Sequence, residues 1–494
     1  LSLIEVQRSV CFKYFINQQR IITSFYSILF YRMKNYILLS AFLLSTTTIF
    51  GQQNQVESDS TKTQTLEEVL VQSVRVKPNA PIAHSNLTNA QLQSRNLGQD
   101  LPILLNYLPS VVTTSDAGAG IGYTGIRVRG VSPLSTNVTI NGIPFTDAES
   151  LGAFWVNMPD FTSSVESLQL QRGVGTSTNG SGAFGASVNI LTDASSYIPT
   201  AEVSNSFGSY NTIKHSVKFS TGKINDVFEL SGRLSTINSD GYVDRAFSDL
   251  KSYFLQGTYN NNGTLIKALV FGGHEKTYQS WEGLTKQQLE DDRRQNPYTY
   301  ENEIDNYKQD HYQLHWNQKL NQNWSTNLGL NYTYGRGYYE QYREDDAVST
   351  YGGIVEATGV DFYGTAVTDL IRRRWLDNDF YVINATANYK ESDLNFIVGG
   401  SYSNYDGDHF GEVIWARQFA SETSIRDQYY FGNGKKTDFS AFAKATYTLN
   451  SKIDVYGDLQ LRNVGYKTSG LTSDLENMRI DESYSFFNPK VGVS

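Results

Sequence analysis

From about Tyr197 to Ser494 the chain alternates apolar and polar residues with a period of two. In WSTNLGLNYTY, Trp324, Thr326, Leu328, Leu330, Tyr332 and Tyr334 fall on one face, and Asn327, Gly329, Asn331 and Thr333 on the other. TIKHSVKFS sets Ile213, His215, Val217 and Phe219 against Lys214, Ser216 and Lys218. FSAFAKATYTL sets Phe439, Ala441, Ala443, Ala445, Tyr447 and Leu449 against Ser440, Lys444 and Thr446. That period predicts β-strands with one apolar and one polar face, as in a soluble sandwich or a membrane barrel. The connections separate the two. Short turns at 222–226, 260–263, 320–323, 390–393 and 449–452 alternate with long linkers at about 237–248, 278–309, 337–376, 406–436 and 466–483. Short turns on one rim and long loops on the other predict an antiparallel membrane β-barrel, here of about twelve strands.

Before Tyr197 the pattern is mixed. Residues 88–107 read as a helical pair interrupted at Pro102 and stopped by Pro109. GIRVRG (125–130), NVTINGIPF (137–145) and VESLQLQR (165–172) read as strands, with Asn141-Gly142 as a hairpin turn. This α+β domain ends in the glycine-rich, uncharged stretch from Gly173 to Thr192. Such a stretch suits close backbone contacts but cannot build an apolar core of its own, so it reads as a seam that other parts of the chain must surround.

Composition narrows the choice. Apolar residues make up 39% of the 494 and the mean hydropathy is -0.40, which excludes a helical membrane bundle. The 33 tyrosines, 26 phenylalanines and 40 glycines against ten prolines fit β-structure with aromatic surfaces. Tyrosines near strand ends, such as Tyr332, Tyr334, Tyr338 and Tyr339 or Tyr402 and Tyr405, suit an interfacial girdle, although tyrosine also simply favours strands. A net charge of -9 argues against nucleic acid as a partner. The single cysteine, Cys11, offers neither a disulfide nor a thiolate metal site.

Met33-Lys34-Asn35 followed by YILLSAFLLSTTTIFG predicts a secretory signal peptide over 33–51, with Met33 as the start and residues 1–32 as upstream sequence. The apolar run is shorter than the ~18 residues of a membrane anchor. Residues 52–65 read as a flexible leader. LEEVLVQSVRV (66–76) is then a β-prone run, either an ordinary first strand or a strand offered to a partner's sheet.

LEEVLV, GIRVRG, TINGIPF and VESLQLQRGVGTSTNGSGAFGASVNI stand in the order found in the TonB-dependent outer-membrane receptors, which the chain resembles from Leu66 onward. The resemblance implies a plug over 72–195 seated inside a barrel (196–494) of about 22 strands. About twelve strands would leave open edges, so the chain is expected to be a C-terminally truncated fragment of such a barrel. The family pattern makes Leu66, Glu67, Glu68, Val69, Leu70 and Val71 the box gripped by TonB, which ExbB and ExbD energise. It assigns structural roles in the plug to Arg127, Arg129, Gly130, Asn141, Gly142, Arg172 and Gly173, with Arg129 and Arg172 expected to pair with barrel carboxylates. Ligand contacts are expected at outward plug apices and on the long-loop side, at Tyr123, Phe154, Trp155, Tyr278 and Trp281.

The short leader is expected to leave no room for a signalling domain or for the extra N-terminal domain of glycan-importing relatives, which in this family favours uptake of a small scarce ligand such as a ferric siderophore; import of cobalamin or an oligosaccharide is the alternative. A passive porin or adhesin barrel is the alternative from another class. Arg372-Arg373-Arg374-Trp375 could attract an anionic chelate or lipopolysaccharide phosphates, or simply be solvated. His311 and His315 share a strand face but are poorly spaced to chelate, so no metal is expected. No catalytic constellation emerges: GVGTSTNG lacks the lysine of a phosphate-binding loop, and no cofactor is implied. Outer-membrane lipid is the expected surroundings.

Overall fold

A computed structural model describes residues 75–76, 82–177 and 184–494. The signal peptide, leader and box expected over 33–71 lie outside the described residues, as do residues 1–32.

The N-terminal body holds β1 (His84–Thr88), α1 (Asn89–Gln93), α2 (Leu101–Leu104), β2 (Val111–Ser115), β3 (Thr124–Val128), β4 (Thr136–Ile140), β5 (Ile143–Pro144), β6 (Val165–Arg172) and β7 (Ala186–Thr192). The strands form a sheet in the order β1-β6-β7-β4-β5, with β4 and β7 parallel, beside a separate β2–β3 hairpin. Two readings change. Pro102 lies in the first turn of α2, where its missing N–H costs nothing, so it begins a helix rather than interrupting one. The end of the glycine-rich stretch is β7, buried along its whole length between β6 and β4. The seam comes later, between Thr192 and β8. At Asn141-Gly142 both residues have positive φ (52° and 81°), as a two-residue hairpin turn requires, and Ile140 pairs with Ile143.

The wall follows as β8 (Thr200–Gly208), β9 (Thr212–Ser220), β10 (Phe228–Ser239), β11 (Ser248–Asn261), β12 (Thr264–Tyr278), α3 (Lys286–Asp291), β13 (Ile304–Lys319), β14 (Trp324–Ala347), β15 (Gly359–Val360), β16 (Ala366–Glu391), β17 (Leu394–Ala416), β18 (Gln428–Asn450), β19 (Ile453–Leu471) and β20 (Asn477–Val493). Twelve of these pair antiparallel in one path from β8 to β20, and the two-residue β15 sits beside β16.

Burial along the wall is the reverse of a soluble sheet. In β14 the polar Asn327 and Asn331 are buried while Leu330 is exposed, and in β13 Gln313, His315 and Asn317 are buried while Tyr312, Leu314 and Trp316 are exposed. Lys214 and Ser216 likewise point inward, with Val217 and Phe219 outward. Water would not select such an arrangement, whereas lipid outside and a polar plug inside would.

Outward aromatics mark two levels. Tyr312, Tyr332 and Tyr381 stack across β13, β14 and β16 with centroids 5.8 and 4.9 Å apart, and Trp324 meets Tyr389 at 5.0 Å eight residues lower. Eight residues span roughly 26 Å along a strand, somewhat less along the membrane normal once tilted, close to the ~25 Å apolar band of such barrels. Just above the tyrosine row, Lys308–Asp310 (2.8 Å), Arg336–Asp377 (3.0 Å) and Lys435–Asp406 (2.7 Å) form outward ion pairs. The girdle is therefore mid-strand, because the strands continue past it. β16 is 26 residues long, about 85 Å at ~3.3 Å per residue. The linker expected over 337–376 is mostly ladder, leaving 348–365 as connection.

Candidate plug–barrel latch and outward cavity

The N-terminal body touches the wall in two chemically different ways. At one pole lies the turn Pro159-Asp160-Phe161. Asp160 has a left-handed φ of 54° and is 3% exposed. Its carboxylate meets Lys214 of β9 at 2.5 Å and Arg233 of β10 at 2.9 Å, and it also accepts from the hydroxyls of Ser163 and Ser235. Burial alone would raise this carboxyl, but Arg233 and Lys214 overcome burial and hold it well below the usual carboxylate range. Phe161 packs beside it against Phe254 (6.3 Å) and Phe271 (5.2 Å) of the wall. Those two and Leu269 belong to the same buried cluster as Val138, Leu168 and Ile190 of the plug sheet. The interface thus has an apolar centre.

Elsewhere the contacts are polar and dispersed. Lys218 pairs with Asp193 at 2.8 Å, and Asn384 Nδ2 donates to Gly142 O at 3.0 Å. The backbone N–H of Ser177 donates to Asp458 Oδ2 at 3.0 Å, while Lys490 Nζ donates to Gly175 O at 2.8 Å. Gly175 and Ser177 of the glycine-rich stretch thus meet the wall.

At the other pole, on the long-connection side, is a cavity of about 690 Å³ between the plug apices and the wall. Tyr123 stands at its floor. Its hydroxyl donates toward Asp305 and lies 3.4 Å from Glu275. Burial, then the charges of Glu275 and Asp305, push the phenol well above its ordinary pKa, so it remains a donor. Its ring meets Trp281 edge-on at 5.5 Å, and Trp281 meets Tyr339 at 5.7 Å. Glu149, in the connection between β5 and β6, accepts from Tyr405 (2.9 Å) and His409 (2.8 Å), and Lys436 donates to Ala148 O at 2.5 Å. Deep in the plug, burial raises Asp100 to about 7 despite the Thr124 hydroxyl bonded to it.

Tyr123 and Phe154 line this cavity, and Trp281 braces Tyr123 from outside it. Trp155 does not reach it; at 3% exposed it is a core residue 6.1 Å from Phe145. Tyr278 is also buried, and its hydroxyl fastens the base of the 279–303 connection to Tyr300 O at 2.7 Å.

The expected arginine pairing is reversed. Arg172 bonds within the plug, to Pro109 O (3.0 Å) and Ser85 Oγ (2.9 Å). Arg127 and Arg129 lie on exposed positions of the β2–β3 hairpin and its exit, where Arg129 (φ 55°) and Gly130 (φ 75°) turn the chain and the Arg129 N–H bonds Ser110 O. Gly173, at φ 88°, donates its N–H to Gly185 O. The anion of the latch comes from the plug and the cations from the wall. The inward register of Lys214 was legible in TIKHSVKFS, but its partner sits in an irregular turn that carries no pattern.

The arginine run at 372–374 is not a solvated rim. Arg372 is buried against Gln341 and the Tyr351 hydroxyl, Arg373 pairs with Glu340 at 2.8 Å, and Arg374 donates to Tyr339 and Tyr429. His311 is inward, stacked on Phe271 at 4.7 Å and bonded to Thr333, and His315 bonds Gln313. Among the described residues no group of three or more His, Cys, Asp or Glu could hold a metal ion.

Residues 77–187 match the TonB-dependent Receptor Plug Domain family. The chain is 24% identical over 224 residues to the probable TonB-dependent siderophore receptor PirA of Acinetobacter baumannii, covering 42% of this chain and 28% of that one. Among solved structures it resembles the ferric-catecholate import receptor Fiu of E. coli K12, with a TM-score of 0.63 at 12% identity over 84% of this chain and 63% of that one. It also resembles the ferric citrate transporter FecA, with a TM-score of 0.61 at 14% identity over 83% and 60%. The chain thus spans less than two thirds of each of these proteins.

Proposed function

This chain carries the plug and part of the β-barrel of a TonB-dependent receptor, and from that premise we propose that it serves energised import of an iron chelate, a ferric siderophore first, across the outer membrane. The observation that carries the reading is the separation of the two poles. The plug meets the wall at a compact buried latch, while an open cavity lies beyond it toward the long connections. A passive pore has no use for a plug held in this way.

In this reading a chelate docks at the cavity, and TonB, energised by ExbB and ExbD, pulls on residues 66–71 to displace part of the plug. Related receptors of known name import ferric chelates, and as a family they transport rather than catalyse, which supports the same view. An N-terminal signal peptide over 33–51 would deliver the chain to the outer membrane. The test is growth of a strain whose only copy lacks residues 66–71, supplied with ferric siderophores as the sole iron source. Growth should be lost. Uptake that persists at the wild-type rate identifies a passive barrel and overturns the proposal.

A further inference from the structure

The cavity's lining is unbalanced in charge and in hydrogen-bonding sense. Asp147, Glu149, Glu275 and Asp305 line it against one guanidinium, Arg374, and one imidazole, His409, already bonded to Glu149. Among the described residues Asp147, Glu275 and Asp305 form no ion pair with Lys, Arg or His, in contrast to Asp160 at the latch. Arg374 donates to the phenols of Tyr339 and Tyr429 rather than to any of the four carboxylates. A separate observation points the same way. Asn157 also lines the cavity and is 7% exposed, yet its Oδ1 has no hydrogen-bond partner. A buried acceptor without a donor is costly unless something supplies one.

We infer that the cavity takes a ligand that presents N–H donors and carries no net negative charge: a neutral or cationic chelate with an amide or ammonium arm, in preference to a polycarboxylate chelate. This rests on the importer reading and specifies its ligand chemistry. The ammonium or amide N–H groups meet the Glu275, Asp305 and Asn157 acceptors, and the rings of Tyr123 and Phe154 cover the apolar part. An anionic chelate would bring like charges into a partly enclosed site whose lining offers it a single guanidinium, the nearby Lys436 ammonium being already bonded to Ala148 O.

The test titrates the purified protein with three ferric complexes, read by quenching of tryptophan fluorescence. They are an uncharged trihydroxamate, the same trihydroxamate bearing a terminal ammonium, and a tricarboxylate. The ammonium form should bind at least about tenfold tighter than the tricarboxylate at low salt, and the gap should narrow as salt rises. The double variant Glu149→Gln, Glu275→Gln removes both carboxylates while keeping one acceptor oxygen on each side chain, and should shrink the gap about tenfold. A tricarboxylate that binds as tightly as the ammonium form, or a gap unmoved by the double variant, overturns this inference while the importer reading stands. Failure of all three complexes to bind overturns both.

Discussion

The latch and the cavity are built from the same two bodies, yet they treat charge in opposite ways. At the latch one plug carboxylate is matched by two wall cations and two hydroxyls in a buried interface, so every charge has a partner. At the cavity Glu275 and Asp305 have a phenol between them and no cation, and Asn157 has an unused acceptor. Buried pairs contribute little net stability but are expensive to break one partner at a time. The latch therefore fixes where the plug sits, and the cavity keeps unmet demand for something that arrives. On the importer reading proposed above, retention and recognition would lie at separate ends of the plug.

The contrast is broken most severely at Asp160. Asp160→Ala leaves Lys214 and Arg233 buried without a counter-charge and should cost about 3–5 kcal/mol of plug attachment, read as lost hydrogen-exchange protection across residues 160–172. Replacing all three with apolar residues should recover most of it. If the triple variant is as loose as the single one, charge pairing is not what the turn supplies. Phe161→Ala should cost about 3 kcal/mol by removing a ring packed on Phe254 and Phe271, with the cavity unchanged in ligand titrations. At the opposite pole Tyr123→Phe removes only a donor and should cost about 1–2 kcal/mol. Its signature is faster proteolysis of the 279–303 connection, because the hydroxyl's bond to Asp305 anchors the ring on which Trp281 rests. Unchanged cleavage would mean the brace is not mechanical.

The smallest expected effect is a difference in pH response. Asp100 is raised by burial to about 7, so its protonated form is the one the fold prefers. Its favourable contribution is complete below the unfolded value near 4 and is lost as pH rises through about 7. Asp160 is depressed, so its contribution is present above about 4 and fades only as pH falls into strong acid. Between pH 5 and 8 the region around Asp100 should loosen with rising pH while the latch stays constant. Asp100→Asn should flatten the first response and leave the second, as followed by amide exchange at residues 100–105 and 160–165. A wild-type profile that is flat at both places refutes the assignment.

Particular residues show what could be read from the chain alone. The period-two faces in 324–334 and 212–220 predicted which side chains meet lipid and which meet the lumen, and the outward Leu330 and inward Lys214 obey them. Such patterns are legible because strand geometry is local: each residue's face follows from its neighbours. The strand count and the turn at Asn141-Gly142 came from the same kind of signal, whereas the apex positions of Tyr123 and Phe154 came from the family resemblance. What stayed hidden depends on meetings between distant residues. Lys214 finds Asp160 across 54 positions, and Ser177 finds Asp458 across 281. Strands also run well past the tyrosine girdle because cross-strand pairing continues beyond the lipid, which no local pattern marks. Sequence determined the elements and their faces. Tertiary structure alone decided which charges are neutralised and which remain unpaired, because charge pairing depends on distances that only the closed interface sets.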